Sequence, residues 1–257
     1  IRDHCVTGVQ TCALPIFLSI LSFSSMLFQI DHTTASVTDF TVREVPFNVV
    51  APFIEKWHYS HSAKGQSPKH CFALMHEGEM IGGMIYGFFA MRNQWKKYSV
   101  YGVDDEFEVI ELRRLVCIDE TPRNTESYFI GQTIKWLKKN TNYRIIVSYA
   151  DPHHGHAGTI YKATNFYHVG MTSPGKIIDY NGQRYHDKCV RDINKAHLRK
   201  TGERILAQSA VRLVNALKSG EAKMVDTPGK HIYVMPLNKK SKKLIVESLD
   251  VGPVKVS

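Results

Sequence analysis

Cysteine is scarce in this chain, and none of it is spaced to hold zinc. The five cysteines among 257 residues include no Cys-x-x-Cys pair. After the first segment only Cys71, Cys117 and Cys189 remain, an odd number that argues against a disulfide framework and fits a reducing compartment. Long apolar runs are missing too: beyond residue 39 no stretch is long enough to span a bilayer. Internal repeats and low-complexity linkers are absent, so the sequence reads as one core with a small appendage.

The single long apolar run, "ALPIFLSILSFSSMLFQI", overlaps "VTGVQTCALPI" (Val6 to Ile16). The latter reads as the translation of a sequencing-adapter oligonucleotide. The run lacks the strong basic flank and clean small-residue cleavage site of a signal peptide. Residues 1–36 are therefore expected to be a non-native, disordered segment.

An even spread of charge is lacking as well. Residues 1–180 carry 17 basic and 17 acidic side chains, whereas residues 181–257 carry 16 and 7, which accounts for the net charge of +9. Basicity confined to one third of a chain points to a polyanionic partner, most simply nucleic acid. Lys230, Lys239 and Lys240, with Lys242 and Lys243, suit phosphate contact.

What is present reads as a mixed α/β domain. "DFTVREVPF" alternates like a strand, and "NVVAPFIEKWHYSHS" places apolar residues at helical spacing. "HCFALMHEGEMIGGMIYGFFA" predicts two strands around a tight Glu77-Gly78 turn, and "FEVIELRRLVCID" a further strand. "TPRNTESYFIGQTIKWLKKN" predicts a helix with basic residues in its last turn. "YRIIVSYAD" is a buried strand; a helix over "AGTIYKATNF" and a strand over "YHVGMTS" follow. "ERILAQSAVRLVNALKSG" is an amphipathic helix, "KHIYVMPL" a late strand, and "NKKSKKL" a basic turn or tail. Residues 37–180 thus form the expected main domain, 181–238 a basic helical insertion with a closing strand, and 239–257 a basic tail.

Asp151 falls where the buried strand gives way to a loop, a frequent position for a catalytic group in open α/β sheets. It is a candidate general base; a helix-capping role is the alternative. His156 opens the next helix, where a neutral imidazole is favoured, while His153 and His154 read as loop surface. His58 and Tyr59 end the first helix and, beside Ser60, suggest a lined pocket. His58, Asp151 and His156 have the composition of a two-histidine, one-carboxylate iron site, although nothing in the spacing brings them together. Ser148 and Tyr149 point to opposite faces of their strand, as do Arg113 and Arg114, so at most one of each pair faces a cleft.

"TIYKATNFYHVG" resembles the closing helix and strand of GNAT acyltransferases. "WHYSHS", "ELRRLVCIDETPRNTES", "IVSYADPHHGHAGTIYKATNF" and "GKHIYVMPL", in that order, resemble the Mom family of bacteriophage DNA-modification proteins. The resemblance makes residues 37–180 the catalytic domain and implies a GNAT-like splayed mixed β-sheet flanked by helices, with acetyl-CoA or a related acyl-CoA in the opening. It implies transfer of a carbamoylmethyl-type group to the exocyclic amine of adenine in phage DNA, shielding it from restriction, in the cytoplasm of an infected bacterium. It favours Ser148 and Arg114 as the cleft-facing members of their pairs. Tyr161 then stands where such enzymes keep a tyrosine that protonates the leaving thiolate, a core aromatic being the alternative. Cofactor contacts are implied at Arg114, Leu115, Val116, Asn124 and Thr125. One departure stands out: the glycine-rich pyrophosphate loop is replaced by "TPRNTESYFIGQ". A generic GNAT N-acyltransferase acting on a small amine or protein lysine is the competing reading.

Overall fold

The computed structural model describes residues 32–250 except 64, 66, 92, 153, 154, 156, 191–199 and 204–207. Seven strands form the main sheet. β1 (Thr41–Glu44), β2 (Pro68–His76), β3 (Glu79–Gly87) and β4 (Val109–Cys117) run antiparallel to one another in sequence order. β5 (Ile145–Ala150) then lies parallel to β4, and β10 (His231–Pro236) is antiparallel between β5 and β6 (Tyr167–Met171), giving the order β1-β2-β3-β4-β5-β10-β6. The hairpin between β2 and β3 turns at Glu77 and Gly78 with φ of 47° and 87°. Positive φ at both central residues is the mark of a tight primed turn.

The parallel β4–β5 pair is spanned by α2 (Thr125–Asn140), since parallel neighbours need a crossover. This pair comes apart. Its register runs from Val109↔Ile145 to Leu112↔Ser148 and stops. β4 continues beside β3 to Cys117, and β5 continues beside β10 to Ala150. The structure therefore has the splayed mixed sheet expected from the resemblance.

β5 is buried on both faces. Ile146 and Ala150 join Phe129, Ile130 and Leu137 of α2 in one core. Ile145 and Val147 join Tyr98 and Tyr101, from the 3₁₀ segment Gln94–Tyr101, and Ile245 of α5 (Lys239–Asp250) in another. α1 (Phe47–Trp57) packs Val50 and Ile54 against Ile85 of β3, and α3 (Thr159–Ala163) links β5 to β6.

Three expectations about organisation need correction. Order begins before residue 37: His32 is buried with its Nδ1 2.8 Å from that of His76, and Ser36 caps a 3₁₀ turn at Val37–Asp39. The remainder of that segment lies outside the described residues. The insertion is not simply helical, because β7 (Gly175–Tyr180), β8 (Gln183–His186) and β9 (Ala222–Thr227) make a second sheet in the order β8-β7-β9. That sheet packs on α4 (Gln208–Ser219) through Ile178, Tyr180, Leu213, Ala216 and Ala222. Finally, "NKKSKKL" is the start of α5 rather than a tail. Among the described residues no helix is long and apolar enough to cross a membrane.

Candidate active site

A cavity of about 420 Å³ opens where β4 and β5 part. One wall is β4 from Leu112 to Cys117. The other is the tip of β5 (Tyr149 to Asp151) and the turn into α3 (Ala157 to Tyr161), with His58, Tyr59 and Glu126 at the margins. Beyond Leu112 that edge of β4 has no strand beside it among the described residues.

A β-bulge sets the geometry. Ile85 pairs with Arg114 and Tyr86 with Leu112, so Arg113 is the extra residue on β4. A bulge re-aims the side chains that follow it, and the expected alternation of Arg113 and Arg114 fails here: both line the cavity. Arg113 donates from an NH group to Phe88 O at 2.7 Å. Arg114 donates to Ser62 O at 3.3 Å and Arg113 O at 2.7 Å, which holds its guanidinium in a half-buried position. Burial lowers the Arg114 pKa from its ordinary value, against the pull of Tyr59 and Glu111.

Asp151 follows β5 directly and lines the cavity, with 18% of its side chain exposed. The antiparallel register places His231 opposite Ala150, so Lys230 falls opposite Asp151 and its Nζ lies 3.0 Å from the carboxylate. Lys230, read from sequence as a DNA contact, is thus an ion-pair partner of the candidate base. Lys239 and Lys240 lie elsewhere: they follow Pro236, which pairs with Ile145 at the other end of β5.

Ser148 is fully buried and is not part of the cavity lining. Its Oγ donates to Leu112 O at 3.2 Å, across the last rung before the strands diverge. The Tyr161 side chain lies in the wall of the cavity. Burial, chiefly, raises its pKa, and the neighbouring Ser148 hydroxyl opposes this only in part. The phenol therefore keeps its proton at neutral pH. Tyr149 turns to the other face, where its hydroxyl bonds Gln94 at 2.9 Å and Tyr98 at 2.7 Å.

His58 caps α1 and is buried. Its Nδ1 accepts the Ser60 amide at 3.1 Å, so the ring proton of the neutral form sits on Nε2. The Tyr59 ring stacks on it with centroids 4.2 Å apart and is half exposed at the cavity margin. These two rings, Asp151, Tyr161 and Arg114 are brought together around one space. Leu115 and Val116 line it as well.

Asn124 and Thr125 do not line it. Asn124 precedes α2 with φ of 71°, and the buried Thr125 hydroxyl donates to Pro122 O at 2.7 Å. The residue that faces the cavity from the first turn of α2 is Glu126, which the sequence reading missed. Its carboxylate suits the positive end of the helix dipole and opposes an anion approaching there. Glu111 was also missed. It is held above the usual carboxylate range by burial, with Arg113, Arg114 and Lys230 pulling downward. A carboxylate interrupting the apolar strand "EVIELRRLV" was the available signal. Among the described residues no group of three or more His, Cys, Asp and Glu is arranged to hold a metal. His156, the third member of the expected iron set, lies outside them, as do His153 and His154.

Comparison with known proteins gives concordant matches. The model of a family described as the Mom protein family matches residues 39–251. Methylcarbamoylase mom of Escherichia phage Mu is 25% identical over 182 residues, covering 68% of this chain and 74% of that protein. Among solved structures, a GNAT family acetyltransferase from Elizabethkingia anophelis with acetyl-CoA bound covers 77% of this chain and 98% of its own, at 12% identity and a TM-score of 0.37. A spermidine/spermine N-acetyltransferase from Vibrio cholerae covers 81% and 99%, at 9% identity and a TM-score of 0.42. At such scores these structures carry no argument of their own, and the splay rests on the registers above.

Proposed function

This chain belongs to the Mom protein family, and from that premise we propose that it transfers a carbamoylmethyl-type group to the exocyclic amine of adenine in DNA, protecting phage DNA from restriction in the cytoplasm of an infected host. The observation that carries the reading is the placement of Asp151 at the tip of β5, facing the gap between the diverging strands. The name of the phage Mu relative, a methylcarbamoylase, supports the type of group transferred.

The adenine amine is a poor nucleophile because its lone pair is delocalised into the ring. The base must first leave the stack. Tyr59, half exposed and backed by His58, offers an aromatic face for it, a contact worth about 1–3 kcal/mol per base in comparable sites. Asp151 accepts a hydrogen bond from the amine, fixes its orientation and takes its proton. Lys230 holds that carboxylate in place through their ion pair.

An acyl-CoA or a related donor is the proposed cofactor. The edge of β4 from Arg113 to Cys117, which no strand among the described residues covers, fits it, since amide groups of an extended arm can continue the ladder as an added strand does. A carbamoylmethyl product is joined to nitrogen through a methylene, so acyl transfer alone is not the whole route and a metal or second cofactor enters as well. When bound, the acyl donor would supply an activated carbonyl and a thiolate leaving group. Tyr161 holds its proton beside that position, and the Arg114 guanidinium can receive an anionic group. Glu126 leaves the first turn of α2 poorly suited to pyrophosphate.

Mass spectrometry of nucleosides from DNA co-expressed with the protein tests the proposal. A modified deoxyadenosine that disappears in Asp151→Asn is expected; unmodified adenine alone, with soluble folded protein, overturns it. Glu126 favours one competitor, an N-acyltransferase for a cationic small amine, because two carboxylates then face the cavity. That enzyme would acylate polyamines in the absence of DNA.

A further inference from the structure

We infer that Tyr233 is a positioning residue that fixes Tyr161 and the turn carrying it, an inference that depends on the function proposed above only for its catalytic readout. Tyr233 stands on β10 directly opposite Ser148 and is 1% exposed. It does not line the cavity; it stands one layer behind. Three contacts converge on its ring. Its hydroxyl donates to Ala157 O at 2.9 Å. Its face packs on Tyr161 with centroids 5.2 Å apart and planes at 33°. Its edge fills the space beside Gly158, where a Cβ would fall 2.2–2.5 Å from ring atoms.

These contacts matter because the element they touch cannot hold itself. α3 has five residues, far too few for a helix to persist by its own hydrogen bonds. Its entry is the Ala157-Gly158 turn, with Gly158 at φ +71°. The Tyr161 amide donates to Gly158 O at 3.0 Å, so the turn and the tyrosine move as one. Glycine at 158 and tyrosine at 233 are complementary: the missing side chain is the socket and the phenol is the plug. The hydroxyl then ties the turn to β10, the strand paired with the base-bearing β5. Tyr161 is thereby held between Tyr233 and the cavity.

Tyr233→Phe tests this in the full chain, because it keeps the ring and removes only the tie. Amide exchange across residues 158–163 should quicken about tenfold, the scale of one lost hydrogen bond, while β5 and β10 keep their protection. Turnover of the DNA modification should fall about tenfold with KM for DNA unchanged, and Tyr233→Phe should add nothing in a Tyr161→Phe background. Gly158→Ala should reproduce the exchange pattern from the other side. Unchanged exchange in Tyr233→Phe overturns the inference, as does a turnover loss fully additive with Tyr161→Phe. If the wild-type protein leaves DNA unmodified, the proposed function falls and the exchange measurements still decide the role of Tyr233.

Discussion

In the proposed reaction Asp151 is the proton acceptor and Tyr161 the donor, and their surroundings suit those parts. The carboxylate meets Lys230 at 3.0 Å, which fixes its orientation at the tip of β5. The phenol is partly buried in the cavity wall and holds its proton. Asp151→Asn should therefore lower turnover by about 10²-fold or more, the usual scale of a general base, while DNA binding measured by fluorescence anisotropy stays within twofold (about 0.4 kcal/mol). Glu111 gives a second test at this scale. A carboxyl held above its ordinary range binds its proton more tightly in the folded than in the unfolded protein. Its contribution is complete below the unfolded pKa and is lost as pH rises through the folded one, so ionised Glu111 works against the fold at neutral pH. Glu111→Gln should raise Tm at neutral pH by about 2 °C and leave it unchanged below about pH 4. A lower Tm at neutral pH would mean that Arg113 and Arg114 depend on the charge. Asp151 could be found in the sequence because an apolar strand ends at a lone carboxylate. Glu126 could not, because an acidic residue in the first turn of a helix looks like ordinary dipole compensation.

The decisive element is β4, and its decisive feature is one extra residue. Strand periodicity assigns Arg113 and Arg114 to opposite faces, and composition carries no signal for a bulge. The bulge shows only in the pairing, where Tyr86 meets Leu112 and Ile85 meets Arg114. Deleting Arg113 should restore the regular ladder with Leu112 and Arg114 keeping their partners Tyr86 and Ile85, while removing the local bend of the bulge and the Arg113 hydrogen bond to Phe88 O. The expected result is a soluble protein with Tm lowered by about 5 °C or more and no modified adenine. A fully active deletion would show that the bulge does not shape the cavity. α5 shows the opposite failure of legibility. Four lysines in its first five residues oppose the helix dipole and made the segment read as a tail. Tertiary contacts prevail: Ile245 is fully buried in the core beneath β5, and Asn238 caps the helix by accepting the Ser241 amide at 2.8 Å. Asn238→Ala should cost about 1 kcal/mol, visible in urea unfolding as a lower midpoint at unchanged slope.

At the scale of the whole molecule, the order of strands and helices in the main sheet followed from periodicity and turn chemistry, and the splay followed from the family resemblance. The second sheet did not. The Asn181-Gly182 turn between β7 and β8, with φ of 51° and 71°, was the signal passed over. β7 and β9 pair across more than forty residues, and a short strand whose partner is that distant leaves no local signature. Its lobe carries Lys176, Arg184, Lys188, Lys218 and Lys223, together with Arg212, whose guanidinium lies 5.2 Å over the Tyr180 ring. Replacing residues 174–228 by a short glycine-serine link should leave a folded main sheet by circular dichroism and reduce the salt dependence of DNA binding. An unchanged slope of affinity against salt would place the polyanion contacts elsewhere.

The lobe leaves and rejoins the sheet at a single point. The Thr172 amide donates to Lys230 O and the Lys230 amide to Thr172 Oγ1, both at 2.9 Å, and only a glycine at 229 allows the two backbones to come so close. A loop whose two ends are already sewn together can grow, shrink or be exchanged between relatives without disturbing what lies beneath the stitch. Under the proposed function, the lobe is thereby open to refitting for a different stretch of DNA while the cavity between β4 and β5 keeps its shape.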